Sequence, residues 1–254
     1  MTNTLGIVEV PLIRSRRREA TKAAGSIVGR RFGGKSLLEW VVRRVTESLL
    51  LDQVVIVTDA AQADIVQRLT PSDVPVSVSK QPDALGRFVA TARQFGASQI
   101  VRVPLICPFV DPELIDRLVC TANANPGLEY IGYFSLDGRP AILSKVGLFA
   151  EWCEADALYR ADRLATSVED RCEPTKYIYS HPESFQLRFI PVPAKLDRRD
   201  VRLTVDVEED WELAHMIFDA LGPDSLNWQK IATLLDQQPA LRERMAVLNE
   251  ANDE

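Results

Sequence analysis

The chain has 254 residues, 46% of them hydrophobic and 26% charged, with a formal net charge of −6. That length can bury one large core. The acidic balance excludes a nucleic-acid or membrane surface spread over the whole molecule, which would need an extended positive field. Cys107, Cys120, Cys153 and Cys172 form no C-x-x-C pair and only two histidines are present, which argues against a structural zinc site and for cysteines used as small core hydrophobes. With neither a signal-peptide pattern nor a long apolar run, the sequence reads as cytoplasmic with reduced thiols.

Taken in order, the chain opens on a short apolar run, Leu5 to Val10. Between Arg14 and Lys35 follow eight basic residues (Arg14, Arg16, Arg17, Arg18, Lys22, Arg30, Arg31, Lys35) against the single acid Glu19. Taking the segment's +8 and −1 from the total leaves −13 for the rest. A basic, Gly-containing loop between a first strand and a first helix is where an α/β sheet meets a phosphate ligand. The plainer reading is a solvated loop whose arginines contact only water.

From Ser36, the residues Leu37, Leu38, Val41, Val42, Val45 and Leu49 lie on one helical stripe. Gln53 to Thr58 is a β-branched strand, Ala60 to Leu69 a helix, and Val74 to Ser79 a strand whose Pro75 points to the sheet edge. Asp83 to Phe95 reads as a helix and Ser98 to Val103 as a strand. Asp111 then caps a helix with Pro112 in its first turn. This alternation predicts an α/β fold, a doubly wound and mostly parallel sheet. Beyond it, Leu128 to Phe134, Phe185 to Val192 and Val201 to Val205 read as strands. Lys145 to Cys153, Glu169 to Ser180 and Val207 to Leu221 read as helices. Residues 223–254 read as a helical C-terminal tail broken near Pro239, beside a main domain of residues 1–222.

Five segments in this order carry a resemblance: Phe32-Gly-Gly-Lys-Ser-Leu-Leu-Glu-Trp40, Asp83-Ala-Leu-Gly-Arg-Phe88, the stretch from Val101 to Asp116, Tyr177-Ile-Tyr-Ser-His-Pro-Glu183 and the stretch from Arg202 to Asp210. Together they resemble the cytidylyltransferase family, in its branch related to the spore-coat polysaccharide protein SpsF. The resemblance implies a Rossmann-like nucleotide-diphospho-sugar transferase fold and a reaction in which a sugar hydroxyl attacks the α-phosphate of CTP and pyrophosphate leaves. Such chemistry needs cationic groups for the triphosphate, carboxylates for magnesium and a pocket that orients the sugar or sugar acid. It also implies a possible homodimer, formed through the irregular middle segment.

Carried over residue by residue, the resemblance puts Arg14, Ser15 and Arg16 at the family's phosphate-binding loop and Lys22 at its motif lysine. Asp83, Arg87 and Arg102 fall near the nucleotide, and Asp206 on an aspartate that helps hold the metal. Helix capping for Asp83, a solvated helix face for Arg87 and a capping box with Glu209 for Asp206 stand as the plain alternatives. The chain departs from the family where the pattern R-x-T-G-D-C-P reads Arg102-Val-Pro-Leu-Ile-Cys-Pro108: Ile106 stands where a metal-binding aspartate is expected, and an aliphatic side chain cannot ligate magnesium. Cys172 and Glu173 stand where Glu and His are usual. No catalytic residue is assigned. The sequence therefore supports two readings: a cytidylyltransferase using CTP, a sugar and magnesium, or a non-catalytic protein that binds CTP or another nucleotide or serves as a scaffold in a glycan pathway. A nucleic-acid partner is not expected, because no aromatic residues interleave the arginines.

Overall fold

A computed structural model describes residues 3–12 and 27–252; Arg14, Ser15, Arg16 and Lys22 lie outside them. Among the described residues the strands are β1 (Thr4–Glu9), β2 (Arg31–Phe32), β3 (Lys35–Ser36), β4 (Gln53–Asp59), β5 (Val76–Ser79), β6 (Gln99–Pro104), β7 (Tyr130–Phe134), β8 (Glu151–Glu154) and β9 (Leu187–Pro191). The helices are α1 (Leu37–Thr46), α2 (Ala63–Leu69), α3 (Ala84–Gln94), α4 (Pro112–Ala124), α5 (Ala155–Leu164), α6 (Val168–Arg171), α7 (Lys176–Ser180), α8 (Glu208–Leu221), α9 (Trp228–Gln237) and α10 (Pro239–Asn252).

Seven strands form one sheet in the order β5-β4-β1-β6-β8-β7-β9. β5, β4, β1 and β6 run parallel, as the βαβ alternation predicts, with β5 at the edge where Pro75 put it. β8 runs antiparallel to both β6 and β7. Each face of the sheet carries its own apolar layer. One joins Val8, Ile56, Val101 and Val103 to α1, α4 and α8; the other joins Leu5, Ile7, Val55 and Val57 to α3 and α5. Ile231, Leu235 and Met245 of the last two helices belong to the first layer.

Local chemistry sets the element boundaries. The Ser36 hydroxyl accepts from Glu39 N at 3.1 Å and starts α1. Phe32 and Lys35 pair across Gly33 and Gly34, both at positive φ (56° and 81°), as a two-residue hairpin turn requires. A Cβ on Gly33 would meet Trp40 and Phe218 within 2.9 Å. Because α1 stops at Thr46, Leu49 leaves the predicted stripe and is 87% exposed.

The middle of the chain departs from the sequence expectation. Lys145 to Cys153 is not helical: residues 146–153 are all buried and end in β8, which lies inside the sheet and is covered on both faces, so no alternation marks it. Pro174 separates α6 from α7, splitting the helix expected from Glu169 to Ser180. Val201 to Val205 is extended but joins no strand ladder. Its N–H groups go instead to Lys145 O (from Leu203, 2.7 Å) and Ile106 O (from Val205, 2.9 Å). All four cysteines are free, and Cys107 and Cys153 are buried as expected; Cys120, however, is exposed and Cys172 half-buried.

Candidate nucleotide site at the C-terminal edge of the sheet

The strand ends of β1 and β6 bring together residues far apart in sequence. In register, Ile7 of β1 faces Arg102 of β6, and Arg102 in turn faces Glu151 of β8. The Arg102 guanidinium donates to Glu9 at 2.9 Å, Glu151 at 2.9 Å and Glu173 at 3.3 Å. Glu9 also receives Arg87 Nη2 at 3.4 Å, while both Arg87 Nη atoms reach Val10 O. The remaining capacity of Glu151 is taken by the Tyr130 hydroxyl at 2.7 Å and the Thr175 hydroxyl. Three carboxylates thus share two buried guanidiniums. Burial opposes the charge on Arg102, but the three carboxylates outweigh it and hold its pKa well above the ordinary value. Burial raises the Glu173 carboxyl above the usual range, with Arg102 pulling it back.

A second constellation lies next to this cluster, where the chain leaves β6. Val205 N–H donates to Ile106 O, which brings Asp206 alongside the turn at residues 106–107. Asp206 Oδ2 accepts from Lys145 Nζ at 2.8 Å and from the Thr204 hydroxyl at 3.0 Å, with Arg202 Nη2 at 3.9 Å. The field of the pair is felt at Cys107. Burial is the main cause that pushes this thiol up to about 12; Asp206 adds to it, and Arg102 and Lys145 oppose it. Asp206 does not cap α8. That helix begins at Glu208, and Asp210 accepts from the Asp206 and Val207 N–H groups at 2.8 and 3.0 Å. The carboxylate that turns back onto the first N–H groups is therefore Asp210 and not Glu209, held in position by buried Arg202 through bonds of 2.5 and 3.0 Å; Val207, at the N-cap, has no side-chain acceptor.

The other sequence-derived candidates divide. Asp83 is the N-cap of α3, accepting from Gly86 N at 2.8 Å, and also pairs with Arg171 at 3.0 Å. Arg87 is fully buried, not on a solvated face. Asp111 caps α4 and accepts Trp228 N–H at 2.7 Å. Of the basic segment, Arg30 forms a two-pronged pair with Glu208 and lies over the Trp211 ring, so the described end of that loop returns to the start of α8, two residues from Asp206. Lys145, Glu9 and Glu151 carry no sequence motif; only the strand order reveals them.

Residues 28–250 match the cytidylyltransferase family. The chain belongs to that family. It is 27% identical to the spore coat polysaccharide biosynthesis protein SpsF of Bacillus subtilis over 249 residues, 94% of this chain and 99% of the relative. Among solved structures, a cytidylyltransferase from Leptospira borgpetersenii shares its fold with a TM-score of 0.74 at 19% identity, over 94% of this chain and 95% of that one. A CMP:2-keto-3-deoxy-manno-octonic acid synthetase complexed with CTP superposes with a TM-score of 0.60 at 12% identity, over 86% and 98% of the two chains. The fold is therefore that of a nucleotidyltransferase, in a family of nucleotide-sugar and polysaccharide biosynthesis. Among the described residues no helix is long and apolar enough to cross a membrane.

A cytidylyltransferase metal would need hard oxygen ligands converging on one point. The donor set here does not fit. At the 106–206 junction the Asp206 oxygen already faces an ammonium, a hydroxyl and a guanidinium, and the neighbouring Asp210 carboxylate is taken by Arg202 and by the Asp206 and Val207 N–H groups. Among the described residues no group of three or more His, Cys, Asp or Glu side chains could hold a metal ion.

Proposed function

We propose that this protein binds CTP or a related nucleotide at the C-terminal edge of β1 and β6, in the biosynthesis of a polysaccharide or nucleotide-activated sugar, and that cytidylyl transfer is impaired or lost. The observation carrying this reading is the state of Asp206, paired with Lys145 beside Ile106. Two ligands that would share a divalent ion are thereby reduced to one carboxylate already neutralised. The basic segment supports nucleotide binding: it leaves β1 at the sheet edge and its far end, Arg30, docks beside residues 206–208. Arg14, Ser15, Arg16 and Lys22 would hold phosphates there, with Asp83, Arg87 and Arg102 shaping the floor. Magnesium would serve only an active enzyme, and the sugar acid, a homodimeric assembly and a cytoplasmic setting remain parts of the same proposal.

The alternative within the family is a scaffold that holds no nucleotide. Isothermal titration with CTP, with and without magnesium, separates the readings. Metal-independent binding without pyrophosphate release supports the proposal. Metal-dependent binding with turnover at roughly one per second or faster marks an ordinary transferase and refutes it. No binding in either condition leaves the scaffold.

A further inference from the structure

We infer that the Lys145 ammonium occupies the place of the divalent cation and takes over its contact with nucleotide phosphate, so that binding needs no metal. The inference rests on the nucleotide-binding reading above and gives it a residue.

Position argues for it first. Lys145 Nζ meets the oxygen of Asp206 at 2.8 Å, at the point where the 203–206 segment is tied to Ile106. The lysine is also fixed by its own backbone. Lys145 O accepts from Leu203 N at 2.7 Å and Thr204 N at 3.2 Å. Two residues on, Gly147 at φ 62° lets that segment lie so close that a Cβ would be 2.9 Å from Leu203 C and Thr204 N. These contacts fix the main chain at residue 145 against residues 203–204, the base from which the side chain reaches Asp206.

Charge argues for it next. A divalent ion between two carboxylates is neutral; so is one ammonium on one carboxylate. Exchanging an aspartate for Ile106 while adding Lys145 leaves the local balance unchanged, where the loss of the aspartate alone would leave a metal underliganded. The pair is also accessible, with side-chain exposures of 41% for Lys145 and 27% for Asp206. An ammonium has three N–H donors. Asp206 takes one, leaving two for phosphate oxygens.

Mn2+ binding followed by electron paramagnetic resonance tests this without nucleotide. Ile106→Asp alone should show no saturable binding, because Lys145 still fills the cation's place. Adding Lys145→Met should make Mn2+ binding saturable, at an affinity roughly tenfold or more above the detection limit that bounds the single variant. Equal Mn2+ affinity in the single and double variants overturns the inference. Ile106→Asn, with and without Lys145→Met, makes the same comparison without burying a charge should Ile106→Asp misfold. In a parallel titration in EDTA, Lys145→Met in the otherwise unchanged chain should weaken CTP binding about tenfold, as expected for one charge-assisted contact. Unaltered affinity there also overturns it. If the unaltered protein binds no CTP at all, the nucleotide reading falls, while the Mn2+ comparison still decides whether Lys145 holds the cation's place.

Discussion

Replacing Arg102 by Met tests the buried ionic cluster most directly. Methionine keeps much of the side-chain volume, so the perturbation is mainly electrostatic. The guanidinium is 9% exposed and serves three carboxylates at once, of which Glu151 is 1% and Glu9 12% exposed. Its loss leaves Glu151 with only the Tyr130 and Thr175 hydroxyls, and Glu9 with Arg87 at 3.4 Å. Breaking a buried pair from one side costs about 3–5 kcal/mol, because the uncompensated charge stays behind. The value expected at pH 7 lies at the upper end, since more than one carboxylate is orphaned. The sign with pH follows. Without Arg102 the Glu173 carboxyl, already raised by burial, loses the guanidinium that pulls it back, so the folded state binds protons more tightly than the unfolded one. The destabilisation should then be largest at pH 7 and shrink towards pH 5 as Glu173 takes up a proton. Urea unfolding at both pH values provides the measurement. A loss below about 1 kcal/mol, or one that does not change with pH, would refute the claim that the cluster is a buried and mutually dependent network.

Gly147→Ala should cost roughly 2–3 kcal/mol in urea unfolding, from a left-handed backbone and a methyl group forced against the backbone of Leu203 and Thr204; a shift under about 0.5 kcal/mol would mean the segment is free to move aside. Asp111→Ala should cost roughly 2–4 kcal/mol, combining a lost cap with an unpaired Trp228 N–H. Asp111→Asn should recover the cap through Oδ1 but not the Trp228 bond, because its Nδ2 faces that N–H as a second donor; equal losses in the two variants would refute the capping account. Glu173→Gln should change the pH dependence of stability. The wild-type carboxyl is raised by burial, so wild-type stability declines as pH rises from the ordinary glutamate value through the raised one, and the variant lacks that decline. Parallel urea midpoints for the two proteins from pH 4 to 7 would contradict it.

The parallel half of the sheet is legible because β1, β4 and β6 are apolar, β-branched runs separated by helices; Asp111 caps its helix as the sequence suggests, Asp83 does what its plainer reading gave, and Ser36 caps the helix that the sequence placed there. The second half was not, for a topological reason. β8 lies between β6 and β7 and is buried on both faces, so its sequence lacks the alternation that marks a one-sided strand. The 201–205 segment has strand-like residues but spends its N–H groups on loop carbonyls. The site shows the same limit. Arg102 and Glu9 are 93 residues apart, and Arg102 and Glu151 49 apart. No local pattern joins them, and even the motif that identified Arg102 is silent about its partners. Asp206 was found by resemblance, but its neighbour Lys145 lay inside a stretch read as a helix.

What the arrangement separates is charge that builds the fold from charge that can meet a ligand. Arg87 and Arg102 are buried and committed to Glu9, Glu151, Glu173 and the carbonyl of Val10. To contact a phosphate they would have to leave carboxylates unpaired in the interior, at the cost that makes such clusters rigid. By holding Glu9 and Val10 they fix where the chain leaves β1; on the reading proposed above they would act on a nucleotide only through that placement. Contact must come from charge with exposed donors. Arg30 is already bound to Glu208, which leaves Lys145, half-exposed on Asp206, as the described cation at the 106–206 junction with donors to spare. On the reading proposed above, the family fold would keep a phosphate-facing edge while its cation becomes a side chain.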